Sequence, residues 1–341
     1  MFKPKFVSAI GLDVGSYSIK CVEIVHNHKD VIRLQRASIL SVSNSSPESI
    51  SASLKTFFDA YPALPKNIRI SLSGPSVVIR RIQLPIMTHS DLKGAIRFEA
   101  ESHLPYAIEE CTLDFQILNQ VPNQTMMNVL LVAAKRDFIQ ERLDMLSPIG
   151  ITPDLIDLDV FCFSNAFEIL NGAPDNKAYG LLHIGHQQSL FTVIQDKLPF
   201  FVRDISHGGL GVTAALSEAK SISQSEAETM KHSHGADILN DLKTATQKGF
   251  EPLAEELKTS IDFCESELGE PISAIWLSGG GAVSHEAAAV LSEAVGKPAS
   301  LWADTSKIEI VKTVDPQLMK DHSSEMKVAL GMALRGIYTP K

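Results

Sequence analysis

No stretch of this 341-residue sequence approaches the ~20 consecutive apolar residues that a bilayer-spanning helix needs. Positive charge is in deficit as well: 31 Lys and Arg stand against 40 Asp and Glu, for a net charge of -9. An acidic chain is a poor match for nucleic acid, because phosphate backbones call for a basic face. The deficit leaves a bound nucleotide open, since a few backbone amides cradle phosphate without net charge. Cysteine is scarce. Cys21, Cys111, Cys162 and Cys264 lie far apart with no C-x-x-C pair, so neither a zinc site nor a disulfide framework is expected, and a reducing compartment is. The basic start Met1–Lys5 is followed by no long apolar core or small-residue cleavage site, and no secretory signal is expected. The tail 336–341 is too short for an amphipathic membrane helix, so any membrane contact should be indirect, through a partner. Hydrophobic residues are plentiful at 44%, with 21% charged, which is globular composition with material for more than one core.

Apolar patterning divides the chain. Val7–Leu12 and Ile19–Val25 read as strands around the turn Asp13-Val14-Gly15-Ser16-Tyr17-Ser18, with a third strand over 31–42. Helical spacing follows over 49–61, then strands over 68–72 and 77–84. Beyond Leu84-Pro85 the character changes. A helix over 90–103, capped by Ser90 and closed before Pro105, precedes two strands and a helix over 136–146. These form a small α+β module inserted at 86–152. The second half opens like the first: Tyr179–Ile184, a turn at Gly185-His186-Gln187-Gln188, then Ser189–Gln195. Residues 218–248 are polar and mostly helical, and a long helix runs over 254–269. The strand 274–277 enters Ser278-Gly279-Gly280-Gly281. The implied architecture is α/β: a first domain at 1–85 and 153–175, the insert, and a second domain at 176–341 with 206–272 as its smaller helical part.

Three glycine-bearing strand ends carry the chemistry. In Gly11-Leu12-Asp13-Val14-Gly15-Ser16-Tyr17-Ser18-Ile19-Lys20 a turn between strands offers backbone amides and hydroxyls to a phosphate. Asp13 is placed to hold Mg2+ beside it through water. Gly185, His186 and Gln187 form the matching turn, 170 positions after Gly15. At Gly279, Gly280 and Gly281 bare backbone lets a flat base or ribose lie close. Taken singly, each has a bland alternative as an ordinary hairpin or linker. Jointly they describe the actin/Hsp70/sugar-kinase architecture, a ribonuclease H-like two-domain fold with nucleotide between the halves.

Within that superfamily the chain resembles the type IV pilus assembly PilM family over nearly its whole length. The opening Ile10-Gly11-Leu12-Asp13-Val14-Gly15-Ser16 and the block Ala95-Ile96-Arg97-Phe98-Glu99-Ala100-Glu101 with Leu104-Pro105-Tyr106 are similar to that family. So are Gly208-Gly209 with Thr213, the helix 257–263, and Val328–Gly336. The resemblance implies an inserted subdomain like that of the cell-division protein FtsA, and binding of ATP or ADP. It implies docking of the N-terminal peptide of a PilN-like bitopic membrane protein, alongside other pilus assembly proteins. The expected place is the cytoplasm, peripheral to the inner membrane. Gly208, Gly209 and Glu256 join the nucleotide-side residues, Leu84, Arg97 and Phe98 are candidates for the peptide groove, and Asp159 aligns with the carboxylate that orients attacking water in relatives. A helix N-cap is the alternative role for Asp159. One position departs from the family pattern: His183 stands where aspartate is usual, and a neutral imidazole brings no charge for a metal. Weak or absent hydrolysis is therefore expected. An FtsA-like filament protein is the runner-up, disfavoured because the chain stops at Lys341 without a membrane helix. The secretion-system relative GspL is disfavoured on similar grounds. A sugar-kinase-like enzyme lacks a convincing catalytic carboxylate.

Overall fold

The computed structural model describes residues 7–26, 31–42, 46–59, 67–121, 124–172, 174, 177–233, 235 and 237–335. The basic start, the tail 336–341 and, in the 171–175 linker, Ala173 and Asp175 lie outside them. The first lobe opens with β1 (Val7–Val14), β2 (Ser18–His26) and β3 (Ile32–Ser41), followed by α1 (Pro47–Asp59) and β4 (Ile68–Leu72). The insert holds β5 (Val77–Pro85), α2 (His89–Glu101), β6 (Cys111–Gln120) and β7 (Met126–Lys135). The chain returns through α3 (Arg136–Leu146), β8 (Leu155–Leu158) and α4 (Asp159–Asn171). The second lobe contains β9 (Tyr179–Ile184), β10 (Ser189–Gln195), β11 (Leu198–Ile205), α5 (Gly209–Lys220) and α6 (Gln224–Lys231). It continues with α7 (Leu239–Leu268), β12 (Ile275–Ser278), α8 (Ala287–Val295) and β13 (Ala299–Leu301). Last come β14 (Ile308–Ile310), α9 (Pro316–His322) and α10 (Lys327–Leu334).

The repeat seen in the sequence is a repeat of topology. The first sheet runs β14-β3-β2-β1-β4-β8 and the second β11-β10-β9-β12-β13. In each, three antiparallel strands are followed by parallel neighbours: β1 with β4 and β4 with β8, β9 with β12 and β12 with β13. Even the register break recurs, between Glu23 and Ile24 in β2 and between Val193 and Ile194 in β10. The central strands of both sheets are buried on both faces, which fits their near-continuous apolar runs.

Packing moves three sequence-based boundaries. The three-stranded sheet β5-β7-β6 takes Val77–Pro85 as an edge. At the other end, Met145 and Leu146 of the α3 helix pack with Ile50, Leu54 and Phe58 of the first lobe. The insert therefore spans 77–135, not 86–152. The chain end also changes lobe. β14 pairs with β3, and α10 lies on β1, β2, β4 and α4. Residues 304–335 thus complete the first lobe and not the second, because Val328–Leu334 are buried on every side and a helix apolar all round needs cover all round. The third boundary is in α7, which begins at Leu239 and continues through Pro252. The lost hydrogen bond costs ~3 kcal/mol. Burial of Leu242, Phe250, Leu253, Leu257 and Ile261 along one stripe outweighs it at ~1.5–3 kcal/mol per side chain. A smaller shift affects α2, which is capped by Thr88, not Ser90: the Asp91 N–H donates to Thr88 Oγ1 at 3.2 Å.

α4 and α10 form a layer shared by both lobes, since α4 also meets β9 and β10. The largest apolar cluster therefore runs from Leu34 and Leu158 through Phe163 and Phe167 to Leu181, Leu190 and Trp302. Two glycines set its spacing. A Cβ on Gly11 would stand 1.9 Å from the Ala329 carbonyl oxygen, and one on Gly331 would stand 1.9 Å from that of Cys162. Gly331→Ala should lower stability by ~1–3 kcal/mol or more, as overpacking does. Gly94→Ala, in helix α2 with nothing within 4 Å of its added carbon, should raise it by ~0.5–1 kcal/mol. Urea denaturation midpoints check both.

Candidate functional site

Each lobe builds the same turn. The Gly15 N–H donates to the Ser18 carbonyl at 3.2 Å, and the Gly185 N–H donates to that of Gln188 at 2.9 Å. A Cβ on either glycine would approach that same oxygen, to 2.9 and 2.7 Å respectively. The strand ladders set Asp13 opposite Lys20 and His183 opposite Leu190. Asp13 and His183 are therefore counterparts, each two residues ahead of its turn glycine.

The two turns open into one cleft of about 470 Å³. Asp13, Gly15, Ser16, Tyr17, Ser18 and Lys20 line it from the first lobe, and Gly185, His186 and Gln187 from the second. Asp159, Gly209, Gly280 and Gly281 complete the predicted residues found there. Gly208 and Gly279 stand behind the wall, where Cβ atoms would meet the carbonyl oxygens of Gly185 and Ile184 at 2.6 and 2.3 Å. Glu256 is not among the lining residues. It sits on α7 and binds Arg203 of β11 at 2.7 Å, so its carboxylate is committed to tying helix to sheet. Leu84 faces the insert's own core at 5% exposure, because alternation along β5 turns it inward, and is not available to a peptide. Arg97 holds Glu109 at 3.0 Å, while Phe98 is 78% exposed.

Charge is unevenly shared between the counterparts. Asp13 is buried and 3.3 Å from Lys20 Nζ. His183 Nδ1 lies 3.0 Å from Ser278 Oγ, and its ring stacks on Phe163 at 5.6 Å. Burial pushes its pKa down to about 4 despite the pull of Asp13, with Lys20 assisting, so the imidazole is neutral at physiological pH. Asp159 is the first residue of α4, with Leu158 and not Asp159 as the cap. Burial raises its carboxyl to about 6, the charge of Asp13 adds to the rise, and the nearby hydroxyls of Ser71 and Ser73 oppose it.

Several cleft residues carried no signal in the sequence. Glu228 and Lys231 of α6 read there only as part of the polar, mostly helical stretch 218–248. In the fold, Lys231 Nζ donates to Glu228 Oε2 at 2.7 Å and to Thr213 Oγ1 at 2.9 Å, and Thr213 also hydrogen-bonds Glu228. Ser73–Ser76, Arg142 and Glu325 also line the cleft. Their only trace was the i,i+3 spacing of Glu228 and Lys231, which any surface helix shares.

Known proteins share this architecture. A sequence profile for a family described as type IV pilus assembly protein PilM matches residues 11–337. A solved PilM-PilN type IV pilus biogenesis complex superposes with a TM-score of 0.84 at 23% identity, covering 97% of this chain and 99% of that one. The ethanolamine utilization protein EutJ from Carboxydothermus hydrogenoformans gives 0.56 at 12% identity, covering 98% of this chain and 91% of that one. MreB5 of Spiroplasma citri bound to ADP gives 0.52 at 10% identity, covering 95% and 94%. At these identities the likeness is one of fold. No helix of the described residues is long and apolar enough to cross a membrane.

The Glu228–Lys231 pair gives the cleft a pH signature. Burial alone would raise the Glu228 carboxyl, but hydrogen bonds from His232, Lys231 and Thr213 outweigh it and hold it at about 2. A carboxyl lowered by folding stabilises fully above its unfolded value of ~4.3 and loses that contribution as pH falls toward 2. The site is partly solvated, so screening trims the gain. Glu228→Gln should cost ~1–2 kcal/mol at pH 7. The gap in urea midpoint between wild type and variant should be flat from pH 7 to 5 and shrink below about 4.5.

Proposed function

Because the chain belongs to the type IV pilus assembly protein PilM family, we propose that it is an actin-like adaptor binding ATP or ADP within an inner-membrane pilus assembly complex. One observation carries the nucleotide reading: two equivalent glycine turns and a triple-glycine strand end, far apart in sequence, converge on a single cleft. Turn amides and the hydroxyls of Ser16 and Ser18 suit phosphate oxygens. Bare backbone at Gly280 and Gly281 suits a flat ring. The Glu228 carboxylate, oriented by Thr213 and Lys231, is an acceptor for the paired hydroxyls of a ribose.

The residues also fit the magnesium ion that this fold family implies. Asp13 and Asp159 are hard oxygen donors near enough for one charge to raise the other's pKa. No trio of His, Cys, Asp or Glu converges among the described residues, so water and phosphate oxygens would complete the shell, with Asp13 acting through water. The ion would offset phosphate charge. Lys20 pairs with Asp13 at 3.3 Å, and neutral His183, turned to Ser278, brings no second carboxylate to steer water. Hydrolysis is accordingly weak or absent, and occupancy of the cleft serves to bias lobe closure. A ligand does so only through unequal affinity for the open and closed states.

The partner is the N-terminal peptide of a PilN-like bitopic membrane protein, docked between the first lobe and the insert, with Phe98 and Arg97 as candidate contacts. The chain would then sit in the cytoplasm, held at the inner membrane indirectly. The family and the likeness to a PilM-PilN complex support this reading.

Calorimetry should detect ADP and ATP binding that Asp13→Ala weakens, and absence of binding in wild type would end the nucleotide reading. Phosphate release by wild type should stay at the level of Asp13→Ala, while His183→Asp raises it about tenfold or more. Phe98→Ser should weaken a PilN-type peptide about tenfold and leave nucleotide affinity unchanged, as read by fluorescence anisotropy and calorimetry.

A further inference from the structure

The two phosphate turns touch through their side chains. Tyr17, from the β1–β2 turn, stacks on His186, from the β9–β10 turn, with ring centroids 4.8 Å apart and planes 28° apart. Rings at that separation and tilt are in van der Waals contact, so nothing the size of a phosphate passes between them while they meet. Two ion pairs, Asp13–Lys20 and Glu228–Lys231, line the same cleft as the stack. Glu228 acts electrostatically on both rings, and Lys20 and Lys231 both act on His186. Tyr17 is 45% exposed, so the pair stands at the mouth and not on the floor. A second line of contact reinforces it, with Gln188 Nε2 donating to Ser73 Oγ at 3.3 Å and the Gly74 N–H turned to the Asp204 carboxylate.

We infer that Tyr17 and His186 form an aromatic gate across the nucleotide cleft, through which a nucleoside di- or triphosphate enters and leaves only when the rings part. The inference rests on the nucleotide reading above and deepens it. The stack joins the turn of the first lobe to its counterpart in the second, across the cleft that both turns line. The Gly15 amide is spent on its own hairpin. The gate sets exchange rates more than affinity, because the rings need not bind the ligand to confine it.

Stopped-flow exchange of a fluorescent ADP and ATP analogue on the full chain tests this. Tyr17→Ser should raise association and dissociation rates together by about five- to tenfold, the worth of one aromatic stack, while Kd moves less than about threefold. Tyr17→Phe keeps the ring and should match wild type. Unchanged rates in Tyr17→Ser would overturn the gate and leave nucleotide binding standing. A faster dissociation matched by an equal loss of affinity would also overturn it, making Tyr17 a ligand contact. A wild type that binds neither analogue would remove the gate and the nucleotide reading together. Circular dichroism confirms that each variant is folded.

Discussion

Helix α10 wedged between strand β1 and helix α4 is the contact on which the rest of the molecule hangs. The backbone carbonyl of Ala329 fits where a side chain on Gly11 would be, and that of Cys162 where one on Gly331 would be. Three distant chain segments thus meet at close range, and the meeting puts α4, with Asp159 at its first turn, between the two sheets. Interiors packed at this density resist small shifts, so the shared helical layer serves as a firm hinge for both lobes. The cleft opens above it, bounded by turns whose geometry each strand pair sets for itself.

That division of labour explains why one cleft holds two kinds of charge. In one the strand ladder sets Lys20 beside Asp13, an ion pair built into local sheet register. In the other, Lys231 and Glu228 come from a helix and meet Thr213 of the preceding helix. The counterpart of Asp13 is a buried, uncharged histidine. The fold is duplicated but its chemistry is not: one turn carries a carboxylate, the other an imidazole kept neutral by burial. This asymmetry is the basis of the proposal that the cleft holds a nucleotide and does not cleave it.

The insert is tied to both lobes through its edge strand β5. Its strand β5 leaves directly from the Ser73–Ser76 turn at the cleft and runs beside β11 of the second lobe, where Arg81 covers the Phe200 ring at 5.1 Å. The three-stranded sheet is therefore in direct contact with the second lobe. Within the sheet, Leu84 and Ile82 are committed to its own core, leaving Phe98 of α2 as its largest exposed apolar side chain.

Period and punctuation in the sequence were enough to determine the duplicated strand–glycine–strand units, the insert between them and the three glycine segments that meet at the cleft. Those features are local: alternation sets strand faces, and a glycine in a tight turn answers to a carbonyl three residues away. Tertiary structure alone decided that residues 304–335 return to the first lobe, that the insert begins at Val77, and that Glu256 ties α7 to β11 while Glu228 faces the cleft. The two glutamates differ in no local respect, since both lie on polar helical stretches. Which of them meets a ligand depends on how each helix is rotated against its sheet, and that rotation is fixed by the packing of apolar side chains from distant parts of the chain.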